Sequence, residues 1–113
     1  MEQRRFADAE AVMRKAVDIE REAAGQNPAA YRPGLALALD NLGDLYADTR
    51  RFAAAEAALN EALAIERDLA AQNPAAYRPS LAKTLNDLAS VYWDMHRYGE
   101  ARAFEAEARA RVK

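Results

Sequence analysis

Apolar residues recur every three or four positions through most of the chain. In the first stretch they are Phe6, Ala9, Met13, Ala16 and Val17, and charged residues such as Arg14, Lys15 and Asp18 lie on the other side. This spacing is typical of a helix with one apolar face. The pattern predicts five helices and no strand. We place them from Arg4 to about Ala24, from about Gly34 to Asp48, from Phe52 to about Gln72, from Pro79 to about Met95, and from about Tyr98 to near the C-terminus.

A seven-residue connector follows the first helix and returns after the third. It reads Asn-Pro-Ala-Ala-Tyr-Arg-Pro at 27–33 and again at 73–79. Asn is a favourable N-cap and Pro suits the first helical position, so we expect one short helical turn over Pro28 to Tyr31. Arg32 precedes a proline and should be extended. We therefore expect the chain to break direction at Pro33.

The identical connectors give the chain an internal period of 46 residues. A fixed period of this length is the signature of a solenoid, in which each unit buries its apolar face against its neighbours. We predict an all-α, right-handed solenoid of antiparallel helix pairs with about two and a half repeats. The whole chain, 1–113, is one domain, made of a half repeat at 1–33, a repeat at 34–79 and a repeat at 80–113.

Composition restricts the function classes. Half of the hydrophobic residues are alanine, which favours helix but supplies little burial energy, so the core should be thin. The net charge of −2 argues against nucleic acid as a partner. There is no cysteine and a single histidine, and no Gly-rich phosphate loop, so we expect no catalysis, metal or cofactor. Without a long apolar run, we expect no membrane contact and a cytoplasmic location.

Several spacings recur together and carry a family resemblance. They are Leu39-x-x-Leu42-Gly43-x-x-Tyr46 with Ala55, Leu59 and Ala62, and then Leu85-x-x-Leu88-Ala89-x-x-Tyr92 with Tyr98, Ala101 and Ala108. The chain resembles the tetratricopeptide-repeat family, most closely its long-period variety in kinesin light chains and bacterial arrays. It departs from the family in its period and in having Arg67 where a closing proline is usual. The resemblance implies recognition of another protein in a groove lined by the first helix of each pair.

The groove face predicted from the helical period is rich in acidic residues. Its members are Leu37, Asp40, Asn41, Asp44 and Asp48 on one helix and Lys83, Asn86, Asp87, Ser90, Trp93 and Asp94 on the other. Carboxylates outnumber the single lysine, so a bound peptide should be basic. An alternative is that this face is only solvated. The chain is then a structural spacer, or a terminal piece of a longer array, with no ligand of its own. Trp93 has two interpretations, an anchor for a partner or packing on the last helix.

The two ends of the chain differ. In the last helix, Glu105, Arg109 and Arg111 stand where the preceding unit has Leu59, Leu63 and Ile65, which predicts a terminal cap. The first helix keeps Met13, Val17 and Ile19 apolar. We predict that these three residues form a self-association face, either in a homodimer or against upstream repeats.

Overall fold

The computed structural model describes residues 2–111, and the side chains of residues 4–110. Within that range all regular structure is helical: α1 (Glu2–Gln26), α2 (Pro28–Asp48), α3 (Phe52–Gln72), α4 (Pro74–Asp94) and α5 (Tyr98–Arg111). Each helix packs mainly on its neighbours in the chain, and α2 also touches α4. The molecule measures 42 × 39 × 17 Å, so it is a slab about two helix diameters thick. The predicted helical solenoid is confirmed.

The predicted break within the connector is wrong. α2 begins at Pro28 and α4 at Pro74, and Pro33 and Pro79 lie inside these helices. The N-cap prediction is confirmed, because the side chain of Asn27 accepts a hydrogen bond from the Ala30 amide at 3.3 Å. Pro33 removes one helical donor near the exposed start of the helix, where water can satisfy the freed carbonyl. Continuing the helix places Leu35 in the core, which offsets the pre-proline preference for an extended residue.

The turns after α2 and α4 share one geometry. Arg50 and His96, one period apart, both adopt a left-handed backbone with φ of 61° and 62°. In the first turn the Arg51 amide donates to the Tyr46 carbonyl at 2.8 Å and the Arg50 amide to the Ala47 carbonyl at 3.0 Å. This is the Schellman arrangement, which satisfies carbonyls left free at a helix end. It reverses the chain within three residues and sets each helix pair antiparallel.

The core is formed by the predicted apolar stripes and by small residues where helices meet. The buried stripes are Leu35, Leu39, Leu42 and Tyr46 on α2 and Leu81, Leu85, Leu88 and Tyr92 on α4. Ala55, Ala62 and Ala101 are fully buried. A Cβ added at Gly43 would lie 2.6 Å from Leu59 Cγ, so glycine permits the close approach of α2 and α3. The small residues therefore set the spacing of the stack.

Ion pairs between alternate helices repeat with the same period. They join α1 to α3 and α3 to α5, and consist of Arg51–Glu10 with Arg97–Glu56 and Arg21–Glu61 with Arg67–Glu107. The guanidinium groups of Arg51 and Arg97 also lie over the rings of Tyr46 and Tyr92. Each exposed pair adds little stability alone. Together they fix α1, α3 and α5 side by side, with α2 and α4 forming the other layer.

Candidate binding groove

The predicted groove face is assembled by α2 and α4, the first helices of the two pairs. Asp40, Asp44 and Asp48 are four residues apart and therefore lie along one side of α2. An open cavity of about 300 Å³ lies between the two helices. It is lined by Asp44, Ala47, Asp48, Asp87 and Ser90. The structure thus brings the central acidic residues of the prediction together.

A lysine bridges the two sides of the groove. Lys83 Nζ donates to Asp44 Oδ2 at 2.9 Å and to Asp87 Oδ2 at 2.8 Å. Burial raises the pKa of Asp87 to about 6, and the hydrogen bond from Lys83 opposes that rise. The pKa of Lys83 is lowered by its own burial, but the hydrogen bonds to both aspartates raise it by more. Lys83 stays charged and is shared by two carboxylates, so the groove keeps an excess of negative charge.

The prediction that Asp40 lies on the exposed groove face is wrong. Its side chain is 4% exposed and its Oδ1 accepts a hydrogen bond from Thr84 Oγ1 at 2.7 Å. Beside it is Glu66 of α3, which is 2% exposed. Among the described residues, Glu66 Oε1 has no hydrogen-bond partner. The bottom of the groove therefore holds two buried carboxyl groups, contributed by α2 and α3.

Glu66 was missed by the sequence prediction although the helical period contains it. Ala62, Glu66 and Ala70 are four residues apart and all buried, so Glu66 lies in the apolar stripe of α3. A charged residue in such a stripe is the pattern that marks a buried polar site. Burial raises the pKa of Glu66 to about 8; the hydroxyl of Thr84 opposes this rise, and the carboxyl group of Asp40 adds to it. Burial likewise raises the pKa of Asp40. Near neutral pH at least one of the two carboxyl groups, Glu66, is therefore protonated.

The two carboxyl groups lie at a small cavity of about 110 Å³. Its remaining lining residues are Pro33, Ala36, Leu37, Asn41, Leu69, Tyr77, Ser80 and Lys83. One unit earlier, a cavity of about 230 Å³ is lined by Met13, Ala16, Glu20, Gly34, Leu37, Ala38 and Asn41. Glu20 there occupies the place of Glu66, and Ala38 that of Thr84. The groove therefore contains two cavities at corresponding places, and both Asp40 and Glu66 line the second.

The remaining predicted groove residues are exposed but differently placed. Leu37 is 62% exposed and lies between the two small cavities, together with Asn41. Asn86 and Asp94 are exposed on α4. Trp93 Nε1 donates to Glu105 Oε1 at 3.1 Å, and its ring lies 4.8 Å from that of Tyr98. Trp93 is thus packed on α5, as one of its two interpretations required.

The residues predicted to mediate self-association do not share one exposed face. Val17 is buried and Met13 is partly buried, both in the core. Ile19 is 58% exposed. Positions 13 and 17 point toward α2, whereas the exposed apolar side of α1 consists of Val12, Ala16 and Ile19. The choice of Met13 and Val17 was therefore wrong, and self-association of the chain stays a prediction.

Another cavity, of about 330 Å³, lies on the opposite face of the slab between α1 and α3. Val17, Leu39, Tyr46 and Ala58 are among its lining residues. One unit later, Phe104 occupies the place of Ala58 and stacks on Tyr92 with ring centroids 5.1 Å apart. The cavity therefore lies where the following unit has the ring of Phe104, because the first complete unit has the small Ala58 at that position.

Comparison with protein families agrees with this architecture. Two family models, both described as tetratricopeptide repeat, match residues 36–69 and 81–113. Each match covers one helix pair, α2 with α3 and α4 with α5, and together they span more than half of the chain. The chain belongs to the tetratricopeptide-repeat family. No curated protein matches it.

As a tetratricopeptide-repeat protein, the chain belongs to a class that generally mediates protein–protein interaction. The residues between the two matches, 70–80, lengthen the end of α3 and the start of α4. The long period is thus accommodated by longer helices on both sides of Asn73. None of the helices among residues 2–111 combines the length and apolar character needed to cross a membrane.

Proposed function

We propose that this chain is a non-enzymatic interaction module that binds a basic peptide segment in the groove between α2 and α4. The observation that supports this proposal is the acidic excess of the groove. Asp44, Asp48 and Asp87 line one open cavity, and the nearby Lys83 is already paired with two of them. Opposite charge steers a partner to such a surface and selects against acidic competitors.

The groove also offers groups that suit an extended peptide. The exposed side chains of Asn41 and Asn86 each carry a donor and an acceptor, so each can pair with a backbone amide and carbonyl. The exposed Leu37 lies beside Asn41 at the two smaller cavities and presents an apolar contact there. A bound segment would therefore place its backbone near the amides and its cationic side chains near the aspartates.

The test uses labelled twelve-residue peptides of alternating lysine and alanine, with a glutamate-for-lysine version as comparison. Fluorescence anisotropy should show that the chain binds the basic peptide and does not bind the acidic one. Affinity should fall several-fold from 20 to 150 mM salt, because the Debye length shrinks to ~8 Å. Asp44→Asn with Asp48→Asn should abolish most of this binding. Equal binding of both peptides, or binding insensitive to salt, would contradict the proposal.

The matched control removes the same charge elsewhere. Asp18→Asn with Glu22→Gln neutralises two exposed carboxylates on α1, outside the groove. This variant should bind the basic peptide as the parent does, and circular dichroism should show equal helicity in all three proteins. A loss of affinity in the control variant equal to that in the groove variant would show that only net charge matters.

A second candidate function is a structural spacer, and the exposed side of α1 favours it. Val12, Ala16 and Ile19 of α1 are one period before Ala58, Ala62 and Ile65, which are buried in α3. A further helix packed on α1 would bury the same side. If this is the main role, no basic peptide binds the groove, and Val12→Lys with Ile19→Lys weakens stacking onto a neighbouring repeat.

A further inference from the structure

The buried carboxyl pair of Asp40 and Glu66 is unusual for an array core. More than nine in ten buried polar groups in proteins have a hydrogen-bond partner. Thr84 supplies one to Asp40, and the carboxyl group of Glu66 also interacts with Thr84 and Asp40, but its Oε1 atom is buried with no partner among the described residues. Leaving a carboxyl oxygen buried and unpaired costs free energy, so its retention at a cavity points to a ligand that supplies the missing donor.

The shape and lining of the cavity indicate the class of ligand. Glu66 and Asp40 supply oxygen acceptors at one end, whereas Leu37, Leu69 and Tyr77 supply apolar walls. Lysine and arginine have this combination of an apolar stem and a cationic, donor-rich end. At about 110 Å³ the cavity has room for one such end.

We propose that this cavity binds the cationic end of one lysine or arginine side chain, whose N–H groups donate to Glu66 Oε1 and to the carboxylate of Asp40. The proposal rests on the proposed function for the basic segment that carries the side chain, and it names the place where that segment is anchored. Lys83 lies at the same cavity, but its charge is held by Asp44 and Asp87 and so repels the entering group less.

Binding of the cation should release a proton. Burial and the neighbouring Asp40 raise the pKa of Glu66 to about 8, so the group is protonated at neutral pH. The other groups that act on Glu66 are Thr84 and Lys83 of α4. A bound cation favours the ionised form and lowers this pKa. As the pH rises toward 8, the affinity for the cation should therefore increase by up to ~10-fold per pH unit. Above pH 8 it should level off, because Glu66 is then already ionised and lysine and arginine remain charged.

The equivalent cavity one unit earlier is a built-in control. Glu20 lies there in the place of Glu66, but it is only partly buried, and among the residues with described side chains no second carboxyl group lines that cavity. Ala38 replaces the hydroxyl of Thr84. A cation at Glu20 would displace more water and meet one carboxylate instead of two, so it should bind more weakly.

The experiment titrates the full chain with n-butylammonium and n-propylguanidinium, which mimic the two side chains, and with uncharged 1-butanol. Carbon-detected NMR follows the side-chain carboxyl resonances of Glu66, Asp40 and Glu20. Either cation should shift the resonances of Glu66 and Asp40 at lower concentration than that of Glu20, and 1-butanol should leave them in place. Glu66→Gln should weaken cation binding by ~10-fold, as expected for loss of a buried charge partner, whereas Glu20→Gln should not change it.

The outcomes separate this inference from the proposed function. A Glu66 resonance that responds equally to 1-butanol, or cation binding unchanged by Glu66→Gln at equal helicity, overturns the cavity proposal. If basic peptides still bind the groove in a salt-dependent way in that case, the proposed function stands alone. If the cations bind at Glu66 but no basic peptide binds the groove, the cavity stands and the proposed function fails. If the affinity for the cations does not rise from pH 6 to pH 8, cation binding does not displace the proton of Glu66. That result would contradict the proposed contact between the cation and Glu66.

Discussion

Replacing Glu66 with glutamine should remove a pH dependence of folding stability. Burial, chiefly, raises the pKa of Glu66 from 4.5 to about 8 in the folded chain. A carboxyl group with a raised folded pKa binds its proton more tightly in the folded state. Its contribution to stability is therefore complete below about pH 4.5 and is lost as the pH rises through 8. Glutamine imitates the protonated form at every pH, so the variant should lack this loss.

The size of the effect follows from the proton balance. Near pH 6 the unfolded chain has released the proton of Glu66 and the folded chain retains it. Stability then falls by up to ~1.4 kcal/mol per pH unit, and the slope flattens around the folded pKa. Between pH 6 and pH 8 the parent should lose about 2 kcal/mol relative to Glu66→Gln. This is a sizeable share of the stability of a small domain.

Urea unfolding followed by circular dichroism at half-unit steps from pH 5 to pH 9 measures this difference. Other groups titrate in that range, including Asp87 with its pKa of about 6, but they do so in both proteins. Subtracting the two stability curves therefore isolates Glu66 together with its coupled neighbour Asp40. The control is Glu22→Gln on the exposed side of α1, which should follow the parent curve at every pH.

Two results would refute the reasoning. Parallel curves for the parent and Glu66→Gln from pH 6 to pH 9 would mean that Glu66 is ionised in the folded groove. Parallel curves in which the parent is the more stable protein by a constant amount would mean that a cation of the chain, such as Lys83, pairs with the ionised Glu66. Either result would also mean that Glu66 has no proton to release when a cation binds.

The remaining predictions concern packing. Ala62→Leu should cost about 1–3 kcal/mol in urea unfolding because the fully buried Ala62 has no room to expand, whereas Ala64→Leu on the exposed side should change stability by less than ~0.5 kcal/mol. Gly43→Ala gains ~1 kcal/mol of helix propensity but forces a Cβ against buried Leu59 at 2.6 Å, so thermal unfolding should show a net loss. Ala58→Phe should raise the unfolding midpoint by filling the cavity of about 330 Å³ between α1 and α3. An unchanged or lower midpoint would contradict the equivalence of Ala58 and Phe104 in the two units.

The helices and their buried faces could be predicted from the sequence because both follow from a local period. Leu35, Leu39 and Leu42 repeat at helical spacing and are buried as expected. The same period placed Asp44 and Asp48 on one side of α2, where the structure has them. Nothing beyond the spacing of side chains around a helix was needed for these predictions.

The errors arose where a local preference competed with packing between helices. The preference of Arg32 for an extended backbone is a bias that the rest of α2 outweighs. Asp40 was assigned to the exposed groove because its spacing fits that side, yet its burial depends on Thr84, 44 residues away. Met13 and Val17 were assigned to an open face because the sequence does not state which side of α1 meets α2. Contacts of this kind are fixed by the stacking of whole helices.

The differences between the two units indicate where this chain departs from a plain scaffold. Stacking requires only that Leu, Ala and Tyr recur, and the ion pairs and turns recur with them. One unit earlier, Ala38 fills the place of Thr84 in an equally helical setting, so stacking does not require the hydroxyl. One unit later, Asn86 stands in the place of Asp40, so the repeat does not require the buried acidic pair either. The proposed binding of a cation at the bottom of the acidic groove accounts both for the position of the pair and for the free energy that its burial costs.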